Sequence, residues 1–308
     1  MTVLTSLAEN DYFLGLAALL NSVAEHGKYV DRVIVGYRGE LPSWLPELTA
    51  TEHGYSFVSK SGFQVDLIRM EGKYHMVHEK PKWLWEVTEV LAPGADEYFF
   101  FDSDIVINCR MEFFGEWVRL GVALCGDVNF VFDATHPHRR VWAGFAEKEG
   151  RKIHNQLNGY YNSGFLGWTQ KTKSFVSDWN DAFQMMVPHS GNMREFRVYD
   201  RTHPVLTTNQ DSFNLAAMIT TQPLSLVGPE AMSFSDGMRL MHHPIGPKPW
   251  RRNYFLGMLK GKPPRASDVA FWRSVNGSEF SPVSRLKQQW MIFICLAFRF
   301  LARFYKAL

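Results

Sequence analysis

The sequence predicts an α/β domain with a mainly parallel central sheet, and three observations support this prediction. Predicted strands alternate with predicted helices over the first 185 residues, the pattern that produces parallel strand pairing. The segment Tyr98–Phe101 is uniformly aromatic, as in strands that are buried on both faces of a sheet. The chain has 308 residues, of which 46% are hydrophobic and 21% charged, so it can form a substantial core. This composition excludes disordered, collagenous and disulfide-rich proteins.

The first elements form a strand–helix–strand unit. Met1–Leu7 has the composition of a core strand. Asn10 is the predicted N-cap of a helix over Asp11–His26, in which apolar residues recur at helical spacing, and Gly27 ends this helix. Arg32–Gly36 is then a buried strand. Two strands joined through a helix pair in parallel, so this unit predicts the direction of the first part of the sheet.

Four further strands and two helices follow along the chain. One helix begins at Pro81 and ends before the sequence Ala-Pro-Gly-Ala at 92–95; the other spans Thr172–Met186, where Pro188 closes it. The stretches 130–158 and 188–207 are rich in loop-forming residues. The remaining predicted strands are Val65–Met70, Tyr98–Asp102, Gly121–Gly126 and Tyr160–Trp168.

The formal net charge of +2 conceals an uneven distribution along the chain. Residues 239–308 contain 13 Lys and Arg against only Asp268 and Glu279, whereas residues 1–238 contain 20 basic and 29 acidic residues. The last quarter of the chain is therefore predicted to have an electrostatic role of its own.

The cysteines and the apolar runs indicate the cellular compartment. Cys109, Cys125 and Cys295 are too few and too irregularly spaced for a disulfide framework or a CxxC metal site, and they indicate reduced thiols in the cytoplasm. The first residues have no basic region or cleavage pattern, so we expect no export signal. The longest apolar run is Trp290–Phe298, nine residues against the about 20 that span a bilayer. We therefore predict no transmembrane segment.

Two carboxylates follow the aromatic strand directly, in the sequence Asp102-Ser103-Asp104. Strand alternation would place both on one side, at the carboxyl edge where ligands bind in α/β sheets. Oxygen ligands at this spacing suit Mg²⁺ or Mn²⁺, with positions left for a substrate phosphate. An EF-hand loop is excluded, because Val106 and Ile107 stand where it needs Asp or Asn and Gly. An isolated Asp-x-Asp more often forms a helix cap and a turn than a metal site, so the interpretation depends on the motifs that accompany it.

Three further motifs accompany the carboxylates: Tyr-Asn-Ser-Gly at 161–164, Thr-Asn-Gln-Asp-Ser-Phe-Asn at 208–214, and Met-His-His-Pro-Ile-Gly-Pro-Lys-Pro-Trp at 241–250. In order and spacing they resemble the family-8-type retaining glycosyltransferases, which have the GT-A fold. The resemblance extends from residue 1 to about residue 255. It implies a single GT-A, Rossmann-like nucleotide-diphospho-sugar transferase domain, placed here over residues 1–275, with a divalent metal and a UDP-sugar donor.

The resemblance also implies the metal ligands. Asp102 and Asp104 would bind the ion, with a third ligand from the pair His242 and His243. His243 has the family's spacing to the glycine at 246, whereas His242 has the family's distance to the lysine at 248; we favour His243. An imidazole among carboxylates favours Mn²⁺ over Mg²⁺.

Donor-binding roles come from the same resemblance. Lys248 would place its charge against the diphosphate, Tyr12 would stack on the base, and Asp127 would accept hydrogen bonds from sugar hydroxyls. A solvated lysine, a core tyrosine and a turn aspartate are the simpler interpretations of these residues. The full donor-binding set is Ala8, Asn10, Tyr12, Lys82, Asp102, Ser103, Asp127, Asn162, Ser163, Gly246 and Lys248.

The triplet Asn209-Gln210-Asp211 lies where many members of the family have Asp-Gln-Asp, near the anomeric carbon. Asn209 provides no carboxylate nucleophile, and Gln210 and Asp211 would line the β-face of the sugar. This favours front-face substitution, in which the departing diphosphate deprotonates the acceptor hydroxyl, over double displacement.

The C-terminal residues 276–308 are predicted to include a basic amphipathic helix. Residues 284–308 contain five cations and no acid, and Arg299, Arg303 and Lys306 share one helix face. We predict that this segment binds an anionic membrane surface, in preference to docking on the domain or forming a dimer. No nucleic-acid-binding motif accompanies the charge. The large interfacial side chains are Trp290, Phe293, Phe300, Phe304 and Tyr305.

The predicted function is transfer of a hexose from a UDP-sugar to a glycan or lipid-linked acceptor. We expect the acceptor to lie over the stretches 130–158 and 188–207, and the reaction to take place at the cytoplasmic, inner face of a membrane. Such a reaction belongs to polysaccharide or lipopolysaccharide biosynthesis. A nucleotidyltransferase is one alternative, but it would carry a Gly-rich loop after the first strand, and Leu7–Tyr12 contains no glycine. A catalytically degenerate, nucleotide-sugar-binding peripheral membrane protein is the other, because of Asn209 and the short spacing from Gly246 to Lys248.

Overall fold

A computed structural model describes residues 1–130 and 132–304, and in these ranges helices flank a nine-stranded mixed sheet. A separate sheet consists of two short strands. The strands are β1 (Thr2–Glu9), β2 (Arg32–Arg38), β3 (Thr49–Thr51), β4 (Gly54–Val58), β5 (Gln64–Arg69), β6 (Glu97–Phe101), β7 (Val106–Ile107), β8 (Val122–Gly126), β9 (Tyr161–Thr169), β10 (Leu224–Val227) and β11 (Met241–His242). The helices are α1 (Tyr12–Glu25), α2 (Lys80–Glu86), α3 (Glu112–Val118), α4 (Pro137–Lys148), α5 (Ser174–Met186), α6 (Thr208–Ile219), α7 (Tyr254–Leu259), α8 (Ala266–Ser274) and α9 (Arg285–Leu301).

The strand order of the large sheet is β10-β8-β9-β6-β1-β2-β5-β4-β3. The pairs β1–β2, β1–β6, β2–β5 and β8–β10 are parallel. The pairs β6–β9, β8–β9, β4–β5 and β3–β4 are antiparallel. The α/β class is confirmed, but the prediction of a mainly parallel sheet is corrected, because β4 and β9 each run against both neighbours. The structure is compatible with a Rossmann-like domain.

The core lies on both faces of the large sheet. Tyr98 and Phe100 pack into one buried cluster and Phe99 and Phe101 into the other, and all four side chains are fully buried. The first cluster includes α5 and α6, and the second includes α1 and α3. The prediction that the aromatic strand is buried on both faces is therefore confirmed. A strand buried in this way fixes the position of the residues that follow it.

Two local predictions are corrected. The helix α1 begins at Tyr12, with Asp11 in the cap position, while Asn10 has a left-handed φ of +52° in the preceding turn. The stretch 130–158 contains α4, which begins at Pro137 after a histidine whose ring accepts a backbone hydrogen bond. This helix was missed because it exposes mostly polar residues. Its buried Arg139 donates hydrogen bonds to backbone carbonyls at both ends of the stretch.

The C-terminal helices form a third cluster beside the sheet. Phe271 and Trp272 of α8 pack with Ile294 and Cys295 of α9 and with Val106 of β7. Among the described helices, none combines the length and the apolar character that crossing a bilayer requires. The last four residues of the predicted membrane-binding segment, 305–308, which include Tyr305 and Lys306, lie outside the described ranges.

Candidate metal centre and adjoining cavity

The end of β6 and the pair β7–β11 bring three metal-ligating side chains together. The Asp102 amide, directly after β6, donates a hydrogen bond to the Gly164 carbonyl of β9 (2.7 Å) and begins a turn at the sheet edge. This turn carries Asp104 and leads into β7, which pairs antiparallel with β11. β11 ends at His242, and His243 follows directly. The pairing of two short strands therefore places His243 beside the turn.

Asp102, Asp104 and His243 each offer a ligand atom within 4.8 Å of the others. The His243 Nε2 atom lies 3.7 Å from Asp102 Oδ2 and 3.6 Å from Asp104 Oδ1. A lysine contacts the other oxygen of each carboxylate: Lys80 Nζ lies 2.6 Å from Asp102 Oδ1, and Lys248 Nζ contacts Asp104 Oδ2. The two oxygens that face the imidazole are thus the ones that pair with neither lysine.

This donor set fits a divalent cation. Ligand atoms about 2.1 Å from an ion and at right angles to each other lie about 3 Å apart, somewhat closer than the separations from His243 Nε2 to the two oxygens. These separations are too long for a hydrogen bond between the ring and a carboxylate. Carboxylate oxygens suit both Mg²⁺ and Mn²⁺, and the imidazole favours Mn²⁺. The group could therefore hold either ion.

The neighbouring histidine has a different environment. His242 lies in β11 and does not belong to the group of ligand atoms around the two aspartates. Burial, together with the nearby Arg239 and Arg299, lowers the pKa of His242 to about 4. Successive strand residues point to opposite sides, which explains why only one histidine of the pair faces the carboxylates. The structure thus brings His243, and not His242, to the candidate metal centre.

Burial and neighbouring charges determine the protonation of these groups. Burial alone raises the pKa of the Asp104 carboxyl, but Lys248 and His243 outweigh it, so the pKa lies below its ordinary value. Burial alone lowers the pKa of Lys248, but Asp104 outweighs it and raises that pKa. The pair is therefore ionised. Burial lowers the pKa of His243 against the effect of the two aspartates, and the neutral imidazole is the form that can bind a metal.

These residues form part of the lining of a cavity of about 440 Å³. The predicted site residues divide into two groups. Those that line the cavity are Tyr12, Asp102, Ser103, Asp104, Asp127, Asn162, Ser163, Asn209, Gln210, His243, Gly246 and Lys248. Those that do not line it are Ala8, Asn10, Lys82, Asp211 and His242.

The segment after β1 reaches the cavity through Tyr12 rather than through Ala8 or Asn10. Ala8 is buried within β1, and Asn10 is exposed in the turn. The Tyr12 ring lies beneath two cations, with Lys248 Nζ 5.8 Å and the Arg251 guanidinium 5.1 Å from its centroid. The predicted donor-binding roles of Ala8 and Asn10 are therefore not supported by their positions.

Lys80 occupies the position that the sequence predicted for Lys82. Lys80 is buried at the start of α2, and its ammonium donates a hydrogen bond to the Ser163 carbonyl (3.1 Å) in addition to pairing with Asp102. Lys82 is exposed, because two residues correspond to a rotation of about 200° around a helix. The prediction of Lys82 is corrected: the sequence Lys-Pro-Lys places a lysine here but does not show which one turns inward.

Asp211 stabilises the fold instead of lining the cavity. The carboxylate is fully buried and accepts hydrogen bonds from the amides of Leu206 (2.6 Å) and Thr207 (2.9 Å) and from the Tyr160 hydroxyl (2.6 Å). Burial raises the pKa of Asp211 to about 6, against the opposing effect of these hydrogen bonds. The two amides lie directly before α6, so the carboxylate joins the residues that precede this helix to its first turn. Its predicted place on the β-face of a sugar is therefore corrected.

One wall of the cavity is a network of amide and hydroxyl groups. The Asp127 carboxylate accepts hydrogen bonds at Oδ2 from the side-chain amides of Asn162 (2.6 Å) and Gln210 (3.1 Å). The Asn209 amide donates to the Ser163 hydroxyl (2.9 Å), and the Asn209 Oδ1 atom is buried with no hydrogen-bond partner within the described ranges. This wall offers a carboxylate, several side-chain amides and the unpartnered Asn209 oxygen, which is the chemistry that recognises hydroxyl groups.

Gly164 is required by the close approach of β9 to the metal-ligating side chains. A Cβ atom at this position would lie 2.7 Å from Cε1 of His243, 2.8 Å from Oδ1 of Asn162 and 3.0 Å from Oδ2 of Asp102. Any larger residue would displace the carboxylate or the imidazole. The glycine of the Asn-Ser-Gly motif therefore serves the geometry of the centre directly.

Arg265 holds the loop between His243 and Lys248, and the sequence did not single it out. Its guanidinium donates hydrogen bonds to the carbonyls of Pro247 (3.1 Å) and Ile245, and pairs with the buried Asp268 (3.3 Å). These contacts flank Gly246, which has a φ of +75° and lines the cavity. The remaining lining residues that the sequence did not single out are Leu7, Glu9, His75, Met76, Val77, Asn129, Phe130, Phe196, Arg197, Tyr199, Thr207 and Ile245.

No protein-family model matches this chain, and no curated protein matches it either.

Proposed function

We propose that this chain is a metal-dependent retaining glycosyltransferase that moves a hexose from a UDP-sugar to a glycan or lipid-linked acceptor. The observation that carries the proposal is the meeting of Asp102, Asp104 and His243 in a cavity that also contains buried lysines and an amide-rich wall. A diphosphate needs positive charge around it, and a sugar needs hydrogen-bond partners. A bound Mn²⁺ or Mg²⁺ would stabilise the charge that develops on the departing diphosphate.

The diphosphate end of the donor is assigned to Lys248 and Tyr12. The Lys248 ammonium is buried, ionised and already paired with a carboxylate oxygen, so it can contact a phosphate without desolvating further. Tyr12 lies beside the Trp250 ring (5.6 Å between centroids) and offers an aromatic surface for the base. The assignment of the base as uracil rests on the family resemblance alone.

The sugar end is assigned to Asp127, Asn162 and Gln210. The two amides orient the carboxylate through hydrogen bonds to the same oxygen, Oδ2. The other oxygen, Oδ1, accepts from the backbone amide and the side-chain amide of Asn129, so a sugar hydroxyl would replace the side-chain amide of Asn129 as a donor. Lys80 lies between this wall and Asp102, where it can contact a phosphate or a sugar hydroxyl.

Front-face substitution is the reaction course that these positions favour. Asn209 provides an amide where a carboxylate nucleophile would be needed, and Asp211 is buried outside the cavity lining. In the proposed step the bond from the anomeric carbon to the diphosphate breaks, and the acceptor oxygen bonds to the same face. The acceptor proton passes to the departing diphosphate. Retention of configuration follows without a covalent enzyme intermediate.

The acceptor is assigned to the side of the cavity formed by Phe130, Phe196, Arg197 and Tyr199, which belong to the two stretches expected to face it. Exposed aromatic rings such as Phe196 and Tyr199 can pack against the apolar face of a sugar. The proposal places the reaction in the cytoplasm, at the inner face of a membrane. The cations of the C-terminal region support this location.

Release of UDP from a panel of UDP-hexoses in the presence of Mn²⁺ tests the proposal. We expect release from at least one donor, and its loss in Asp102→Asn and Asp104→Asn, whereas the exposed control Asp236→Asn retains it. A folded protein that releases UDP from no donor would contradict the proposal. Stabilisation by UDP and Mn²⁺ without any turnover would instead favour a nucleotide-sugar-binding protein.

A further inference from the structure

The helices α7 and α9 expose an unusual number of large apolar side chains. On α9 and the turn after it, exposed residues recur at three- and four-residue spacing and so form one stripe. On α7, Leu259 is 79% exposed. We call these residues the α7–α9 surface: Phe255, Leu256 and Leu259 of α7, with Leu286, Trp290, Phe293, Leu296, Phe300, Leu301 and Phe304 of α9 and the following turn.

The two helices present one continuous surface. Phe255 of α7 packs edge-on against Phe298 of α9, with 4.9 Å between ring centroids. The opposite side of α9 is anchored to the domain, because Ile294 and Cys295 are buried against α8. The apolar stripe is therefore the face that remains after docking, and it does not belong to the core. The helix α9 therefore docks on the domain with one side and exposes apolar side chains on the other.

The surface is cationic, and the acids of the region do not neutralise it. Arg285, Lys287, Arg299 and Arg303 accompany the apolar stripe. Asp268 is buried and paired with Arg252 and Arg265. Glu279, also buried, accepts hydrogen bonds from the backbone amides of residues 60 and 61.

We infer that the α7–α9 surface binds an anionic lipid bilayer, with apolar side chains from both helices inserted and the cations at the headgroups. A bilayer offers an apolar layer beneath negative charge, which matches both properties of the surface. A second copy of this chain matches only the apolar part, because two such surfaces would bring like charges together. The contribution of α7 distinguishes this inference from binding by a C-terminal segment alone.

Sedimentation of the full chain with vesicles tests the inference, without donor or metal. We expect the protein to sediment with vesicles of phosphatidylcholine and phosphatidylglycerol, weakly with pure phosphatidylcholine, and less at high salt. Each of Arg299→Gln and Arg303→Gln should weaken binding about fivefold. The control Arg194→Gln removes an exposed arginine elsewhere and should leave binding unchanged.

Substitutions on α7 test the two-helix surface specifically. The variant Phe255→Ser/Leu259→Ser should lose most vesicle binding, whereas Leu120→Ser, which changes a comparably exposed leucine elsewhere, should bind normally. Full binding by the α7 variant would overturn the inference, as would equal binding to neutral and anionic vesicles. A dimer in lipid-free solution that is abolished by the α7 variant would instead assign the surface to a second copy. Because binding needs no turnover, failure here leaves the proposed transferase activity untouched.

Discussion

Replacement of Lys80 by methionine tests the buried ion pair at the candidate centre. The side chain volume is nearly retained, so the change removes chiefly the ammonium. The Ser163 carbonyl loses a donor, which costs about 1 to 3 kcal/mol for a buried group. Breaking a fully buried ion pair costs about 3 to 5 kcal/mol, but the Asp102 side chain is 24% exposed and water can partly replace the lysine. We expect a net loss of about 3 kcal/mol in the free energy of unfolding.

Urea unfolding of the wild type, Lys80→Met and Lys82→Met measures this difference. Lys82→Met is the control, because it makes the same chemical change on an exposed part of α2. We expect Lys82→Met to remain within about 0.5 kcal/mol of the wild type. Equal effects of the two substitutions, or a loss below about 1 kcal/mol for Lys80→Met, would refute the reasoning that Lys80 is the inward lysine. UDP release should fall in Lys80→Met and persist in Lys82→Met.

Three further predictions concern the histidines and the close approach of β9. Mn²⁺ should raise the melting temperature of the wild type and of His242→Gln but not of His243→Gln, measured by differential scanning fluorimetry. Gly164→Ala should abolish UDP release while the protein remains folded by circular dichroism, because the added methyl group contacts the His243 ring. Burial lowers the pKa of His78 from 6.5 to about 4. As the pH drops from 6.5 towards 4, the unfolded chain therefore binds a proton that the folded chain does not, and the free energy of unfolding falls. His78→Gln should remove up to about 3 kcal/mol of this pH dependence, measured by urea unfolding at several pH values.

Much of the fold could be predicted from local sequence patterns. The aromatic run of β6, the periodicity of α1 and α5, and the turn signals between them each reflect the burial of a whole face. The helix α4 and the hairpin of β3 and β4 were missed, since their exposed residues carry little apolar periodicity. Three-residue strands such as β3 depend on pairing with a neighbour, which a local pattern does not encode.

For the candidate centre, the sequence predicted the types of residue better than it predicted the contacts that each residue makes. Asp102 and Asp104 follow a strand whose end is readable from the sequence, so their location could be inferred. The choice between Lys80 and Lys82 depends on which side of α2 faces the sheet, and the α2 segment is short and rich in tryptophan on both sides. The structural role of Asp211 depends on Tyr160, 51 residues away, which no spacing rule brings to it.

The direction of β9 is the feature on which the site depends most. Because β9 runs against β6, its first residues, Asn162, Ser163 and Gly164, lie at the edge where β6 ends and Asp102 begins. If β9 ran parallel to β6, those residues would lie at the opposite edge, about 17 Å away over the five residues of β6. The direction follows from the connection between β8 and β9, which contains α4 but returns to the same edge of the sheet. The long connection between β8 and β9 thus brings the amide-rich wall next to the metal-ligating group, and no local sequence motif encodes this.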